Sequence, residues 1–318
     1  MVRNGSRRRA FVADAVRVHD SPSGAGAPFV VDAALAAALV ALQFPHWSHL
    51  PVRAADPQGW DNRTFRLGDR LSVRLPSAAG YEPQIDKEHH WLPVLARRLP
   101  LPVPEPVALG RPALGYPFRW SVYRWRDGTV AADARWEPSV LAADLGGFLA
   151  ALRDVPPDGG PPAGGHSLFR GGPLAHYAGE AVRALDRLPA GAAPGARDVL
   201  DRALASRWRR DPVWVHGDVA VNNLLVRDGR LAAVLDWGCS AVGDPACDTV
   251  PAWTMFDGAA RRTFRAATAL DADTWDRGRG WALWKAAITA ADPGAAAAGR
   301  SAALATLAAV CRDATDDR

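Results

Sequence analysis

Three polar residues in the second half of the chain have the types and spacing that phosphoryl transfer requires. Asp218 and Asn223 are separated by four residues, and Asp236 opens an Asp-Trp-Gly segment further on. A carboxylate can orient a substrate hydroxyl, while a carboxamide oxygen and a second carboxylate can share one small, hard cation. The order of these groups predicts a site at which a phosphoryl group passes to a hydroxyl.

The sequence between Asn223 and Asp236 predicts how these groups are brought together. Two apolar runs, residues 224–227 and 230–235, flank Asp228-Gly229, which is a strong signal for a two-residue hairpin turn. With that turn, Arg227 pairs with Arg230, and Asn223 is expected opposite Val234.

Asp236 then lies two residues beyond Val234, on the same face of the ribbon as Asn223. Diagonal neighbours of this kind are ~7–8 Å apart at the backbone, a gap that two inward side chains can close around Mg²⁺. Asp218 lies in the loop before the hairpin, where it can orient a substrate hydroxyl and accept its proton. The alternative from these residues alone is an ordinary hairpin with a loop aspartate and a polar cap.

This stretch closely resembles the aminoglycoside phosphotransferase family, including its macrolide-kinase relatives. The family carries His-Gly-Asp, four residues and Asn, followed by an Asp-Trp/Phe-Gly segment, as residues 216–223 and 236–238 do here. Gly243–Asp248 is similar to the family's Gly-Asp-Pro-x-x-Asp segment. Weaker similarities extend towards the N-terminus, at Asp61-Asn62, Arg74-Leu75-Pro76, Glu88 and Trp120–Trp125.

The resemblance implies an α+β, bilobal, protein-kinase-like fold, with a small N-terminal β-sheet lobe and a larger, mainly helical C-terminal lobe. We expect a basic N-terminal extension at residues 1–27, a nucleotide-binding lobe at 28–122, and a catalytic and acceptor-binding lobe at 123–318. A chain of 318 residues is long enough for two such lobes with real cores.

The pattern of residues predicts the elements that hold the site. Residues 63–67 and 71–75 form a hairpin around Gly68-Asp69-Arg70, and 82–98 has helical spacing. Residues 31–42 are expected to form an amphipathic helix on the first lobe. The aromatic stretch 118–125 is expected to be a strand at the hinge. Further helices are predicted at 138–155, 173–188, 194–208, 259–270, 273–291 and 297–312.

A kinase-like first lobe needs a strand cation for the nucleotide phosphates and a helix carboxylate that holds it. Neither of the two lysines, Lys87 and Lys285, can occupy the strand. Arg74 stands at the expected strand position, and Glu88 at the helix position. Arginine grips phosphate bidentately and stays charged, so we expect Arg74 to replace the usual lysine. The alternatives are a solvated strand arginine and a surface helix glutamate.

Two further stretches are candidates for nucleotide contacts. Asn62 lies in the turn before the first hairpin strand, where it contacts a phosphate or simply forms part of a turn. Trp60 beside it is bulky for a loop that covers phosphates. If the hinge is placed correctly, the backbone of Ser121, Val122 and Tyr123 hydrogen-bonds a purine. The stretch does not distinguish ATP from GTP.

Several residues near the motif are expected to have structural roles. His216 is predicted to orient the catalytic loop, residues 216–223. Asp244 and Asp248 are predicted to tie the metal segment, which begins at Asp236, to nearby helices. The last helices form the acceptor pocket in this family. Here they carry four tryptophans and four aspartates, which are either acceptor contacts or core packing and helix caps: Trp253, Trp275, Trp281, Trp284, Asp257, Asp271, Asp273 and Asp276.

Composition excludes several other classes of protein. With 38 basic and 34 acidic residues, the net charge of +4 is too small to indicate a nucleic-acid partner. Three cysteines without a Cys-x-x-Cys pair indicate neither disulfides nor zinc, and a cytoplasmic location is expected. No secretory signal is expected, because the apolar run 27–44 contains Asp32 and begins far from the basic residues at the N-terminus. No membrane partner is expected, because residues 31–42 are too short to span a bilayer. The protein is expected to be a monomer or a homodimer.

The resulting hypothesis is a small-molecule O-phosphotransferase. It is expected to use Mg²⁺ and to transfer the γ-phosphate of ATP or GTP to a hydroxyl of an aminoglycoside- or macrolide-type antibiotic. The alternatives are a kinase for an endogenous sugar, amino alcohol or fructosamine-like metabolite, and a catalytically silent nucleotide-binding module. A protein kinase is disfavoured because Gly243 follows the Asp-Trp-Gly segment almost at once, leaving little room for a peptide platform.

Overall fold

The computed structural model describes residues 30–56, 58–59 and 61–316. The predicted extension at 1–27 and the bulky Trp60 lie outside the described residues. The described residues form a sheet-containing N-terminal part followed by a mainly helical C-terminal part, as the sequence predicted.

The N-terminal lobe is built on one antiparallel sheet. Its five strands, numbered along the chain, stand in the order β1-β2-β3-β5-β4. The predicted hairpin is its centre, with Leu67 paired to Leu71 across a tight turn at Gly68. The strands are β1 Val52–Ala54, β2 Asn62–Leu67, β3 Leu71–Pro76, β4 Glu105–Gly110 and β5 Trp120–Arg124.

Helix α1, Ala33–Gln43, packs on this lobe as predicted. It begins where the Asp32 carboxylate accepts a hydrogen bond from the Leu35 amide, a favourable N-cap arrangement. Its buried residue Leu39 joins a core with Val73 and Trp120 of the sheet. Helix α2, Glu82–Ala96, lies between this sheet and the C-terminal lobe, and it carries the buried residues Lys87 and Glu88.

The predicted lobe boundary at residue 122 falls inside a strand. Strand β5 runs through the expected boundary without a break and ends at Arg124. The chain then turns through residues 125–128 into β6, Thr129–Val130, which pairs with the C-terminal lobe. The division into two lobes at this point stays a prediction.

The C-terminal lobe holds two short sheets and most of the helices. Strands β7, Val213–Val215, and β10, Ala241–Gly243, pair with each other, while β8, Leu224–Arg227, lies between β6 and β9, Arg230–Val234. The helices are α3 Pro138–Arg153, α4 Ala178–Arg187, α5 Ala196–Ala205, α6 Pro251–Thr254, α7 Gly258–Thr268, α8 Ala272–Ala291 and α9 Ala297–Asp316.

The β8–β9 hairpin forms around Asp228-Gly229 as predicted, but its register differs by one residue. Arg227 pairs with Arg230, whereas Leu224, rather than Asn223, pairs with Val234. The cause is a bulge opposite the step from Leu225 to Val226, which absorbs one extra residue of β9. Asn223 instead accepts a hydrogen bond at its carbonyl from the Leu235 amide, 2.7 Å away.

Helix α8 runs through the core of the C-terminal lobe. Trp275, Trp281 and Trp284 are almost completely buried along it, and Trp253 packs against Trp275 from α6. The tryptophans of the last helices are therefore mainly core residues. Within the described residues, no helix combines the length and the apolar character needed to cross a membrane.

Candidate active site

The catalytic loop leaves β7 through a turn that only glycine fits well. Gly217 has φ of 85°, and a Cβ there would lie 2.4 Å from the carbonyl oxygen of Cys239. A side chain at this position would therefore clash with the backbone of the metal segment. This close approach lets residues 216–218 and the Asp-Trp-Gly segment pack side by side.

Asp248 and His216 fix the path of this loop. The Asp248 carboxylate accepts hydrogen bonds from the amides of His216 and Gly217, at 2.8 and 2.7 Å. His216 Nε2 donates to the Leu235 carbonyl at 2.9 Å, and its Nδ1 accepts from the Asp218 amide at 3.2 Å. The imidazole thus links the catalytic loop to the strand that leads to Asp236. The orienting role that the sequence predicted for His216 is present. Asp248 was predicted to tie the metal segment to nearby helices, and it instead holds the amides of the catalytic loop.

Asp218 faces the cleft and is held by a cation. Lys285 Nζ on α8 lies 2.9 Å from Asp218 Oδ1, and both side chains are partly exposed. Burial alone would raise the pKa of Asp218, but the charges of Lys285 and Arg170 outweigh it and lower the pKa to about 2. The carboxylate therefore stays ionised at neutral pH, as a group that orients a hydroxyl must.

Asn223 closes the same loop. Its Nδ2 donates to the Asp218 carbonyl at 2.9 Å and lies 3.5 Å from the Asp218 carboxylate. The amide nitrogen is thus used within the loop, which leaves the amide oxygen as the ligand atom for a cation.

Asp236 adopts a backbone conformation that non-glycine residues rarely use, with φ of 62°. Trp237 next to it is completely buried and donates from Nε1 to the Val234 carbonyl at 3.0 Å. Such backbone strain persists only where the surroundings impose it, and it is common at functional sites. The buried tryptophan fixes the turn that presents the Asp236 carboxylate to the cleft.

Arg74 joins the two lobes at the site. Its guanidinium lies 3.3 Å from Glu88 of α2 and 3.1 Å from Asp236 of the C-terminal lobe. Burial disfavours the charged guanidinium, but Glu88 and Asp236 outweigh burial and raise the pKa of Arg74. The pairing of strand cation and helix carboxylate that the sequence predicted is present in the structure.

The predicted purine contact of Ser121, Val122 and Tyr123 is wrong in its position. These residues lie inside β5, paired on one side with β3 and on the other with β4. Their backbone groups are therefore engaged in the sheet. Tyr123 instead donates its hydroxyl to Glu88 and lies under Arg74, so it supports the ion pair.

Asn62 lies in a strand rather than in a turn. It is the first residue of β2, it is buried, and it pairs with Pro76. The chain before it is held by Ser77, whose amide donates to the Asp61 carbonyl at 2.8 Å. A phosphate contact by Asn62 stays a prediction.

Asp61 and Lys87 are site residues that sequence reasoning missed. Burial, with repulsion from Asp236 and Asp218, raises the pKa of Asp61 to about 7. Lys87 Nζ donates to the carbonyls of Gly238 and Ser240, at 2.6 and 2.9 Å, and so ties α2 to the metal segment. The sequence signal for Asp61 was its place in the Asp61-Asn62 pair, which weakly resembles the family. The sequence signal for Lys87 was its position next to Glu88.

Two of the acidic side chains of the last helices have structural partners. Asp271 caps α8 by accepting from the Thr274 amide at 2.8 Å, and Asp276 pairs with Arg279 at 2.7 Å. Asp257 stands at the N-cap position of α7 without a capping hydrogen bond from its side chain. Asp244 forms a buried ion pair with Arg277 of α8 at 2.6 Å, which is the scaffold role predicted for it.

A small cavity beside Asp218 is lined by Arg170, Gly217, Asp218, Val219, Cys247, Val250, Trp281, Trp284 and Lys285.

The donor set at the cleft fits Mg²⁺ bound together with a nucleotide. Among the described residues, no group of three or more histidine, cysteine, aspartate or glutamate side chains could hold a metal alone. Mg²⁺ commonly takes one or two protein oxygens and completes its shell with phosphate oxygens and water. The carboxylate of Asp236 and the amide oxygen of Asn223 supply such a partial set.

Residues 53–281 match the sequence profile of APH, the phosphotransferase enzyme family. The match covers most of the 318 residues, and it includes β3, α2, the catalytic loop and the Asp-Trp-Gly segment. The chain therefore belongs to the phosphotransferase enzyme family, and it is an enzyme of that class.

Several solved structures of similar fold are antibiotic phosphotransferases. The GDP complex of aminoglycoside 2'-phosphotransferase-IIIa has a TM-score of 0.67 at 18% identity, covering 89% of this chain and 100% of that chain. Macrolide 2'-phosphotransferase type I has a TM-score of 0.60 at 22% identity, covering 88% and 98%.

A third similar structure is the apoenzyme of macrolide 2'-phosphotransferase MphH from Brachybacterium faecium. Its TM-score is 0.56 at 23% identity, covering 87% of this chain and 97% of that chain. These likenesses show the bilobal kinase-like fold. No curated protein resembles the chain closely enough in sequence to count as a match.

Proposed function

We propose that the protein is an O-phosphotransferase that moves the γ-phosphate of ATP or GTP to a hydroxyl of an aminoglycoside- or macrolide-type antibiotic. The observation that carries this proposal is the joint contact of Arg74 with Glu88 and Asp236. It brings the phosphate-binding cation, its helix carboxylate and the metal-binding aspartate into one assembly, as phosphoryl transfer requires.

In this proposal the nucleotide lies between the lobes, with its purine at the chain segment that follows β5. Arg74 binds the phosphates from the N-terminal side, while Asn223 and Asp236 hold Mg²⁺. When bound, Mg²⁺ neutralises charge on the phosphate oxygens. The lobes then position the γ-phosphate in line with an acceptor hydroxyl that lies against Asp218.

Asp218 orients the hydroxyl more than it removes its proton. A carboxylate with a pKa of about 2 is a weak base, so it takes the proton only when the oxygen–phosphorus bond is well advanced. This timing suits a loose transition state, in which the attacking oxygen carries little extra charge early on.

The acceptor class rests on similarity of fold. Related structures have been obtained with kanamycin, with gentamicin and with streptomycin, and others are macrolide 2'-phosphotransferases. The three free cysteines fit a reducing compartment, so we propose a cytoplasmic enzyme.

A kinase for an endogenous sugar or amino alcohol is the second candidate. It is favoured by the structural use of Asp271 and Asp276, because these carboxylates are then less available to bind a polycationic antibiotic. A protein kinase is disfavoured because residues 237–242 are buried and offer no peptide platform.

The experiment is nucleotide consumption by the purified protein with Mg²⁺, using ATP and GTP in parallel. The acceptor panel includes aminoglycosides, macrolides, simple sugars and amino alcohols, and Asp218→Ala is the matched control. Turnover that depends on one acceptor and is lost in the variant supports the proposal and names the acceptor class. Tight nucleotide binding without turnover on any acceptor would favour the silent module.

A further inference from the structure

Two cations line the acceptor side of the site. Besides Lys285, which lies 2.9 Å from Asp218, the buried side chain of Arg170 lines the same small cavity. Both charges act on Asp218 and lower its pKa. Asp218 is the one carboxylate among the residues that line this cavity, so the described lining carries a net positive charge.

Arg170 is an unusual buried cation. Its guanidinium lies over the rings of Trp284, Trp281 and Tyr177, at 4.4, 5.2 and 5.5 Å from their centroids. Its Nη1 is buried and has no hydrogen-bond partner among the described residues. Aromatic faces stabilise a cation without neutralising it, so the charge of Arg170 remains effective at Asp218.

Of the two cations, Lys285 is the more accessible to a substrate. Its side chain is 30% exposed, whereas Arg170 is 7% exposed. An ammonium group has three hydrogen-bond donors, and the contact with Asp218 uses one of them. Lys285 therefore presents a positive charge to whatever stands beside the hydroxyl that Asp218 orients.

The carboxylates that could offset this charge are occupied or lie elsewhere. Glu180 accepts a hydrogen bond from Trp284 Nε1 at 2.7 Å, and the indole ring of Trp284 is almost completely buried. Asp276 pairs with Arg279, and Asp271 caps α8. Asp61 and Asp236 face the cleft near Arg74, where the nucleotide and Mg²⁺ are proposed to bind.

We propose that Lys285, supported by Arg170, makes the acceptor site select against a protonated amine next to the reacting hydroxyl. The preferred acceptor is neutral or anionic at that position. A hydroxyl bonded to Asp218 brings its neighbouring substituent within roughly 5–6 Å of Lys285 Nζ, where like charges repel appreciably even in a solvated cleft. This inference rests on the proposed function, and it narrows the acceptor class.

The test is equilibrium binding of two matched probes, kanamycin and its fully N-acetylated derivative, to the Mg²⁺–nucleotide complex of the enzyme. The variants are Lys285→Glu and Lys285→Gln. The exposed arginine of α7 gives the control Arg262→Glu, which changes the net charge by the same amount. Nucleotide affinity and the thermal midpoint of each variant establish that it is folded.

We expect wild type to bind the acetylated probe more tightly than kanamycin. Lys285→Glu is expected to raise kanamycin affinity about tenfold relative to the acetylated probe, because a repulsion becomes an attraction. Lys285→Gln is expected to give a change of about threefold, and Arg262→Glu less than that. For each variant, the affinity for kanamycin is divided by the affinity for the acetylated probe. A loss of affinity that is common to both probes cancels in this ratio.

The inference would be overturned if the ratio of the affinities for the two probes were the same in wild type and in Lys285→Glu. It would also be overturned if neither of these two proteins bound kanamycin measurably. Failure of the proposed function is a separate result. If no acceptor in the panel is phosphorylated while the probe ratio still responds to Lys285, the phosphotransferase assignment fails, and the charge selectivity of the site stands.

Discussion

Arg74 and Asp236 form an ion pair of 3.1 Å across the cleft between the lobes. The same guanidinium contacts Glu88 at 3.3 Å, so one side chain of β3 joins α2 to the metal segment. A lysine ammonium is a single compact charge, whereas the guanidinium is a planar fork that can serve two carboxylates at once. The use of arginine at this position therefore fits a site in which the lobes are joined through the phosphate-binding cation.

Replacing this cation gives the first prediction. Arg74→Lys keeps the charge but loses the fork, so it is expected to weaken nucleotide binding about tenfold, and Arg74→Met is expected to weaken it further. Titration calorimetry with Mg²⁺ and nucleotide measures the effect. The control is Arg124→Lys, at an exposed ion pair with Glu105 at the end of β5. Equal affinities for wild type and Arg74→Lys would argue against phosphate binding by Arg74.

The second prediction concerns the pH dependence of stability through Asp61. Burial, with the charges of Asp236 and Asp218, raises the pKa of this carboxyl from 3.8 to about 7. Between these values the folded protein holds a proton that the unfolded chain has lost. The contribution of Asp61 to the free energy of unfolding therefore falls as pH rises through this window.

Asp61→Asn removes that dependence. The variant is expected to be more stable than wild type above about pH 7, by on the order of a few kcal/mol, and to differ little near pH 4. Urea unfolding across this range, without nucleotide or metal, measures the difference, and the exposed Asp69→Asn is the control. A difference between wild type and Asp61→Asn that does not change with pH would contradict the buried, repelled carboxyl.

The third prediction concerns Lys87, whose ammonium ties α2 to the backbone after Asp236. Lys87→Met leaves the buried carbonyls of Gly238 and Ser240 without this donor, which costs about 1–3 kcal/mol of stability. Because the same contacts hold the metal segment, nucleotide affinity is expected to fall as well. Arg97→Met, at an exposed position just after α2, should change neither property. Unchanged nucleotide affinity in a destabilised Lys87→Met would limit Lys87 to a structural role.

Local patterns in the sequence were enough to predict much of the fold. The hairpin at Gly68, the helix that carries Glu88 and the β8–β9 hairpin all follow from turn residues and hydrophobic spacing. The exact pairing of β8 with β9 did not follow, because the bulge between Leu225 and Val226 is set by packing around the hairpin and has no signal of its own.

The parts of the site that sequence reasoning missed depend on contacts between distant segments. Lys285 lies 67 residues after Asp218, and Lys87 meets Gly238 across 151 residues. No local pattern marks such pairs. The purine contact was misplaced for a related reason, since strand propensity identified β5 but could not show that β3 and β4 flank it on both sides.

The central claim is that Asp218 orients an acceptor hydroxyl for phosphoryl transfer, and phosphorus NMR of the acceptor product tests it most directly. With the best acceptor from the panel, wild type is expected to form a phosphate monoester. Asp218→Asn is expected to lose this activity by about a thousandfold or more while nucleotide affinity stays within about threefold of wild type. Monoester formation at the wild-type rate by Asp218→Asn would contradict the account.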